Sequence, residues 1–123
     1  MIAKAIYSLL STDPELANVD VSPMWSDTTR ACPMITYLVE DDYQATKVAT
    51  NAVRSEVTVL VISDNYLEMD TIASQVVTRL DKFKGTQAGV NVRSIDIQDA
   101  EESRDKTTGL YAKEIEFVSI WNL

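Results

Sequence analysis

The sequence predicts an α+β fold: a mainly antiparallel β-sheet with two helices packed on one face and a projecting β-hairpin arm. Three observations carry that prediction. Apolar residues recur at helical spacing in two stretches, Ile2 to Leu10 and Tyr66 to Leu80. Between and after them, runs rich in Val and Ile alternate with a period of two, as half-buried strands do. The resulting order is helix, two or three strands, helix, two strands, which fits two layers with both helices on one face of the sheet. With 123 residues, 46% of them hydrophobic, a single domain with its own core is expected.

Ile2, Ala5, Ile6, Leu9 and Leu10 form the stripe of the first amphipathic helix. Ser11 to Glu15 then resets the chain. Asp13 can cap a short turn with Pro14 at its first position, where a missing N–H costs nothing. Thr12 and Glu15 also have capping-box spacing, and Leu16 and Val19 are expected to tuck under the sheet. Val21 to Trp25 reads as a short strand, followed by a polar loop from Ser26 to Pro33 in which Pro33 forces Cys32 to be extended.

Met34 to Glu40 reads as a strand with Ile35, Tyr37 and Val39 sharing a face. Asp41 to Ala52 is polar, lacks Gly and Pro, and is longer than a tight hairpin needs. It is expected either to extend both strands as a projecting arm carrying Asp41, Asp42, Tyr43 and Lys47 or to be partly mobile. Val53 to Ile62 is the strongest strand, with Val53, Ser55, Val57, Val59 and Val61 on one face. Leu60 and Ile62 make its far end apolar on both sides, as suits a central strand.

The second helix starts at Ser63-Asp64-Asn65, and Asn65 with Glu68 has capping-box spacing. Tyr66, Met69, Ile72, Ala73, Val76, Val77 and Leu80 form its stripe. Lys82 and Lys84 suit the negative C-terminus, and Gly85 is expected to supply the left-handed stop. Gln87-Ala88-Gly89 turns into a strand from Val90 to Gln98. An acidic loop from Asp99 to Thr108, bearing Asp99, Glu101, Glu102 and Asp105, leads into the last strand. There Tyr111, Ile115, Phe117 and Trp121 fall on one side, and Leu110, Glu114, Glu116, Val118 and Ile120 on the other. The second side is acidic in the middle and apolar at its end, which suits a neighbouring subunit better than water. For Trp121, core and intersubunit contact are both open.

Composition excludes several functions. A net charge of -8, with 11 Lys and Arg among 19 acids, argues against gripping nucleic acid by its phosphates. A like-charged wall would still let DNA slide past. The absence of His removes the commonest general base and metal ligand. Asp41-Asp42 and the group Asp96, Asp99, Glu101, Glu102 and Asp105 are the carboxylate clusters, and neither has the Gly-bearing spacing of a calcium loop. Cys32 is alone, so it forms no internal disulfide or Cys-based metal cluster. The three glycines are isolated and build no phosphate-cradling loop. Lys47, Arg54 and Arg93 are too sparse for a basic patch, and ion pairs across strands or subunits are expected of them. No enzymatic activity, cofactor or metal is expected. No apolar run has the length of a signal peptide or membrane span, so a soluble chain made in the cytoplasm, with no membrane partner, is expected.

The residues now on the page resemble a known family. Ile6 to Leu16, reading Ile-Tyr-Ser-Leu-Leu-Ser-Thr-Asp-Pro-Glu-Leu, is similar to the first helix of tail completion and tail terminator proteins of long-tailed phages. Pro33-Met-Ile-Thr-Tyr37 resembles their first core strand, and Val57 to Phe83 their central strand, capped helix and closing Phe. Gly89 to Ile95, and Thr108-Gly-Leu-Tyr111 running to Phe117 and Trp121, look like their last hairpin. The order and spacing of these pieces carry the likeness. Val21 to Trp25 departs from it, lacking a Gly-rich lead into a basic-aromatic strand.

The resemblance implies a non-enzymatic structural protein of the virion that forms a ring, typically a hexamer, at the head-proximal end of the tail. It would stop polymerisation of the tail tube protein and join the tail to a head or neck connector protein. DNA would pass through the lumen without specific binding. The exposed sheet face and strand edges, with Arg54, Glu114, Glu116 and Trp121, are expected at subunit contacts. The arm at Asp41 to Ala52 and the loop at Asp99 to Thr108 are expected to reach axial neighbours. Rival expectations are a head–tail connector or tube-like ring subunit of the same machine, and a small acidic host binding module.

Overall fold

The computed structural model describes residues 2–23, 33–42 and 52–122. They build α1 (Ile2–Ser11), a 3₁₀ turn (Pro14–Leu16), β1 (Asp20–Pro23), β2 (Met34–Asp42), β3 (Ala52–Ser63), α2 (Tyr66–Leu80), β4 (Gly85–Gln87), β5 (Val90–Arg104) and β6 (Tyr111–Asn122). The strands form one sheet in the order β1-β2-β3-β6-β5-β4. Every neighbouring pair is antiparallel except β1 and β2, which run parallel. The fold is therefore α+β with a mainly antiparallel sheet, as the sequence pattern predicts.

Both helices lie against one face. The buried residues of α1 are the five of its predicted stripe. This helix touches β1 and β2 near one edge of the sheet and β4 and β5 near the other, so the sheet curls around it. α2 lies across β3, β6 and β5 and buries Met69, Ile72, Ala73, Val76 and Leu80. Val57, Val59 and Val61 of β3 and Ile115 and Phe117 of β6 meet the helices from below, each 1% exposed or less. Trp121 is 2% exposed and belongs to this core, not to a surface a neighbouring subunit can reach.

Helix entry follows the predicted chemistry with changes of detail. Asp13 accepts the Glu15 N–H at 3.0 Å and holds Pro14 at the start of the 3₁₀ turn. Thr12 does not cap that turn; its hydroxyl donates back to the Ser8 carbonyl of α1. At α2 the Asn65 side chain accepts the Glu68 N–H, as expected of the cap. The Glu68 carboxylate, however, takes the Ser63 hydroxyl at 2.6 Å, and that hydroxyl accepts the Asn65 N–H. Ser63 thus relays what a capping box makes directly.

Three expectations need correction. Gly85 does not end α2: the left-handed residue is Lys82, at φ 66°, three positions earlier. Its N–H donates to the Ile95 carbonyl, so pairing with β5 stops the helix there. Gly85 instead opens β4, a strand too short to show a period in sequence. Asp41 and Asp42 are not loop residues but close β2, opposite Ser55 and Arg54 of β3. The acidic segment from Asp99 is also no loop, because β5 continues to Arg104 and only the residues from Asp105 to Leu110 turn. Tyr43 and Lys47 of the expected arm, and Trp25 and Cys32 before it, lie outside the described residues.

A side chain at positive φ carries a steric cost that glycine avoids. The Lys82–Asp96 ion pair, with a 2.6 Å bond and a lysine side chain 76% exposed, offsets little of it. Lys82→Gly is therefore expected to stabilise the chain by about 0.5–1 kcal/mol, read as a rise in the urea unfolding midpoint.

Candidate interaction surface

The face of the sheet turned away from the helices is built mainly by β3, β6 and β5. On β3 it carries Arg54, Glu56, Thr58, Leu60 and Ile62, and on β6 Ala112, Glu114, Glu116, Val118 and Ile120. β5 supplies the rest through two bulges. Extra residues at Arg93 and Gln98 shift its register against β6. Each shift moves the following side chains to the opposite face.

The second bulge decides the chemistry. Beyond it Asp99 stands opposite Glu116 and Glu101 opposite Glu114, all on the helix-free face and all exposed. Two carboxylate pairs thus face each other directly across the ladder. Each such like-charge pair costs on the order of 0.2–1 kcal/mol in an isolated sheet. Among the described residues none of the four is ion-paired to a cation, while nearby Glu56 takes Arg54 at 3.3 Å. A cleft of ≈ 230 Å³ opens beside the bulge, lined by Arg54, Glu56, Thr58, Gln98, Glu116 and Val118. The neighbouring Leu60, Ile62, Val118 and Ile120 are only half-buried. An acidic ladder beside an apolar strip is the composite surface that the last strand foreshadows.

The same bulge sends Glu102 and Arg104 to the opposite side, towards α2. Tyr66 donates to Glu102 at 2.9 Å, and Lys113 lies 3.6 Å from Glu102 and 3.8 Å from Asp70. The Tyr66 and Tyr111 rings meet edge-on at 5.5 Å, with the Arg104 guanidinium 5.3 Å over Tyr111. The bond to Glu102, aided by that carboxylate's charge, pushes the Tyr66 phenol above its ordinary range. This cluster ties the outer half of the β5–β6 hairpin to the start of α2. Sequence reasoning placed Glu102 with Asp99 and Glu101 and missed that it turns the other way.

Asp105 shapes the turn between β5 and β6. Its carboxylate accepts the Thr107 N–H at 2.8 Å and the Thr108 N–H at 3.4 Å, while Gly109 takes the φ of 76° that closes the loop. The bond from Thr107, then that from Thr108, hold its carboxyl below the usual range. A lowered folded pKa contributes stability above the ordinary carboxylate value, and that stability is lost as pH falls through the folded value. The protection of the Thr107 and Thr108 amides, taken relative to their intrinsic exchange rates, should therefore fall as pH drops below the ordinary Asp value of about 3.9. The extra acid sensitivity should vanish in Asp105→Ala.

Asp41 has an inward role. Ser55 donates to its carboxylate and accepts the Trp121 indole N–H at 2.8 Å. Ser55 is fully buried among valines, and the link runs from the core to the C-terminal end of β2. A serine in an otherwise apolar alternation was the available sequence signal. Among the described residues no group of three Cys, Asp or Glu side chains is placed to hold a metal ion. No helix among them is long and apolar enough to cross a membrane.

No protein-family model and no curated protein matches the chain by sequence. Solved structures do share its fold. A chain from the virion of a native gene transfer agent particle superposes with a TM-score of 0.74 at 15% identity, covering 97% of this chain and 92% of that one. A second solved chain matches at 0.68 and 12% identity, over 99% of this chain and 91% of its own length. At such identities the likeness is one of fold, and it runs from end to end.

Proposed function

We propose that the chain is a structural subunit of a phage or phage-derived virion. Within it, the protein forms a ring, six-fold in the simplest case, at the head-proximal end of the tail. There it ends polymerisation of the tail tube and joins the tail to the head or neck. It works by binding and shape, without catalysis.

The observation that carries this reading is the end-to-end likeness of fold to a chain of a gene transfer agent virion. The sequence pieces that resemble tail terminator proteins fall on α1, β2, β3, α2 and the β5–β6 hairpin, the elements that make up that fold. A ring subunit needs one surface for its sibling and others for unlike neighbours along the axis. The helix-free sheet face suits the first, and the ends of the strands suit the others. Six copies of a chain carrying -8 would surround the DNA path with repulsive charge and let it slide.

Gold labelling of an epitope-tagged chain in purified particles tests the location. Label at the junction of head and tail is expected. Label spread along the tail, or on the head shell alone, would contradict the reading.

A further inference from the structure

We infer that the acidic ladder of one copy seats the cationic β4–β5 edge of a second copy. This rests on the ring reading and names the surfaces that would build the ring.

The inference starts from the charge pattern along β5. From Lys82 to Ile95 the chain has three cations and no acid; from Asp96 to Asp105 it has five acids and one Arg. The fold sharpens this polarity. Gly85 pairs with Val92, so Lys84 and Arg93 are the residues next beyond that pair at the same end of the β4–β5 ladder. Both are exposed, and neither forms an ion pair among the described residues. At the other end Asp99 faces Glu116 and Glu101 faces Glu114, likewise without cations. One subunit therefore carries two unmatched sets of opposite sign, one basic pair and two acidic pairs.

They do not neutralise each other within one copy. The bulge at Gln98 leaves four strand steps from Ser94 to Asp99 along β6, which at ~3.3 Å each puts roughly 15 Å between Arg93 and Asp99, beyond the ~8 Å screening length at physiological salt. A contact centred on two ladders would oppose acid to acid. Seating Lys84 and Arg93 of a second copy against Asp99, Glu101, Glu114 and Glu116 relieves both unmatched sets at once. The half-buried Leu60, Val118 and Ile120 beside the ladder supply apolar area to the same contact.

Charge-reversal complementation tests this. Asp99→Lys, Glu101→Lys, Glu114→Lys and Glu116→Lys together reverse the ladder, and Lys84→Glu with Arg93→Glu reverses the edge. All six positions are exposed, and circular dichroism checks that each variant folds. Native mass measurement at low salt is expected to show a wild-type oligomer and at least roughly tenfold weaker association of each variant alone. An equimolar mixture of the two variants should assemble again, because each reversed surface then meets its opposite. Variants that assemble as well as wild type would overturn the inference and leave the ring reading standing. A mixture that stays dissociated would assign the ladder to a basic partner other than this chain and also overturn it. Wild-type protein that is monomeric at every concentration would remove both.

Discussion

Phe117→Ala is expected to destabilise the protein by about 3–5 kcal/mol, enough to unfold a domain of marginal stability. Phe117 is 1% exposed and among the largest fully buried side chains. It stands between Val57 of β3 and Ile97 of β5 in the middle of the sheet, on the face that α2 covers. Removing the ring opens a cavity where three strands and a helix converge, and collapse there would need all of them to shift. Urea denaturation followed by circular dichroism measures the loss. A change below about 1 kcal/mol would mean that this region packs loosely. Phe117→Leu, which keeps most of the volume, should recover much of the deficit.

The second large effect is expected at Ser55. Replacing it with Val suits the surrounding apolar alternation but leaves the buried Trp121 indole N–H without its acceptor and releases Asp41. Leaving one buried donor unsatisfied costs about 1–3 kcal/mol. The gain in apolar contact offsets only part of that. Ser55→Val should therefore lower the unfolding midpoint and alter the emission of Trp121 in the folded state. Asp41→Ala cuts the same chain at its exposed end and should cost less. If Ser55→Val is neutral in stability and leaves the emission unchanged, the link between core and β2 is not structural.

Much of this fold is legible in the sequence because its core obeys simple periods. Ile2, Ala5, Ile6, Leu9 and Leu10 announce α1, and all five are buried. Val53, Val57, Val59 and Val61 announce the inward face of β3 in the same way. The parts that were not legible depend on non-local pairing. The stop of α2 falls at Lys82 because its N–H meets Ile95 of β5, thirteen residues on, whereas Gly85 offered the better local signal. The outer half of β5 read as a loop because the bulge at Gln98 breaks its alternation and charge fills the strand.

That bulge is also why the candidate surface was only half visible. Glu114 and Glu116 were assigned to an outer face from the period of β6 alone. Asp99 and Glu101 join them, and Glu102 leaves them, only once register is known. Charged side chains on a long strand also protect an open edge from unwanted pairing. Unpaired carboxylates set face to face go beyond that need, since charges staggered along the strand would guard the edge without opposing each other.

The central claim is a ring that ends the tail tube and joins it to the head. Electron microscopy of particles assembled without this chain tests it most directly, by measuring tail length and the fraction of tails carrying heads. The account predicts tubes of uncontrolled length and tails without heads, both restored when the chain is supplied. Tails of normal length that still join heads would contradict it.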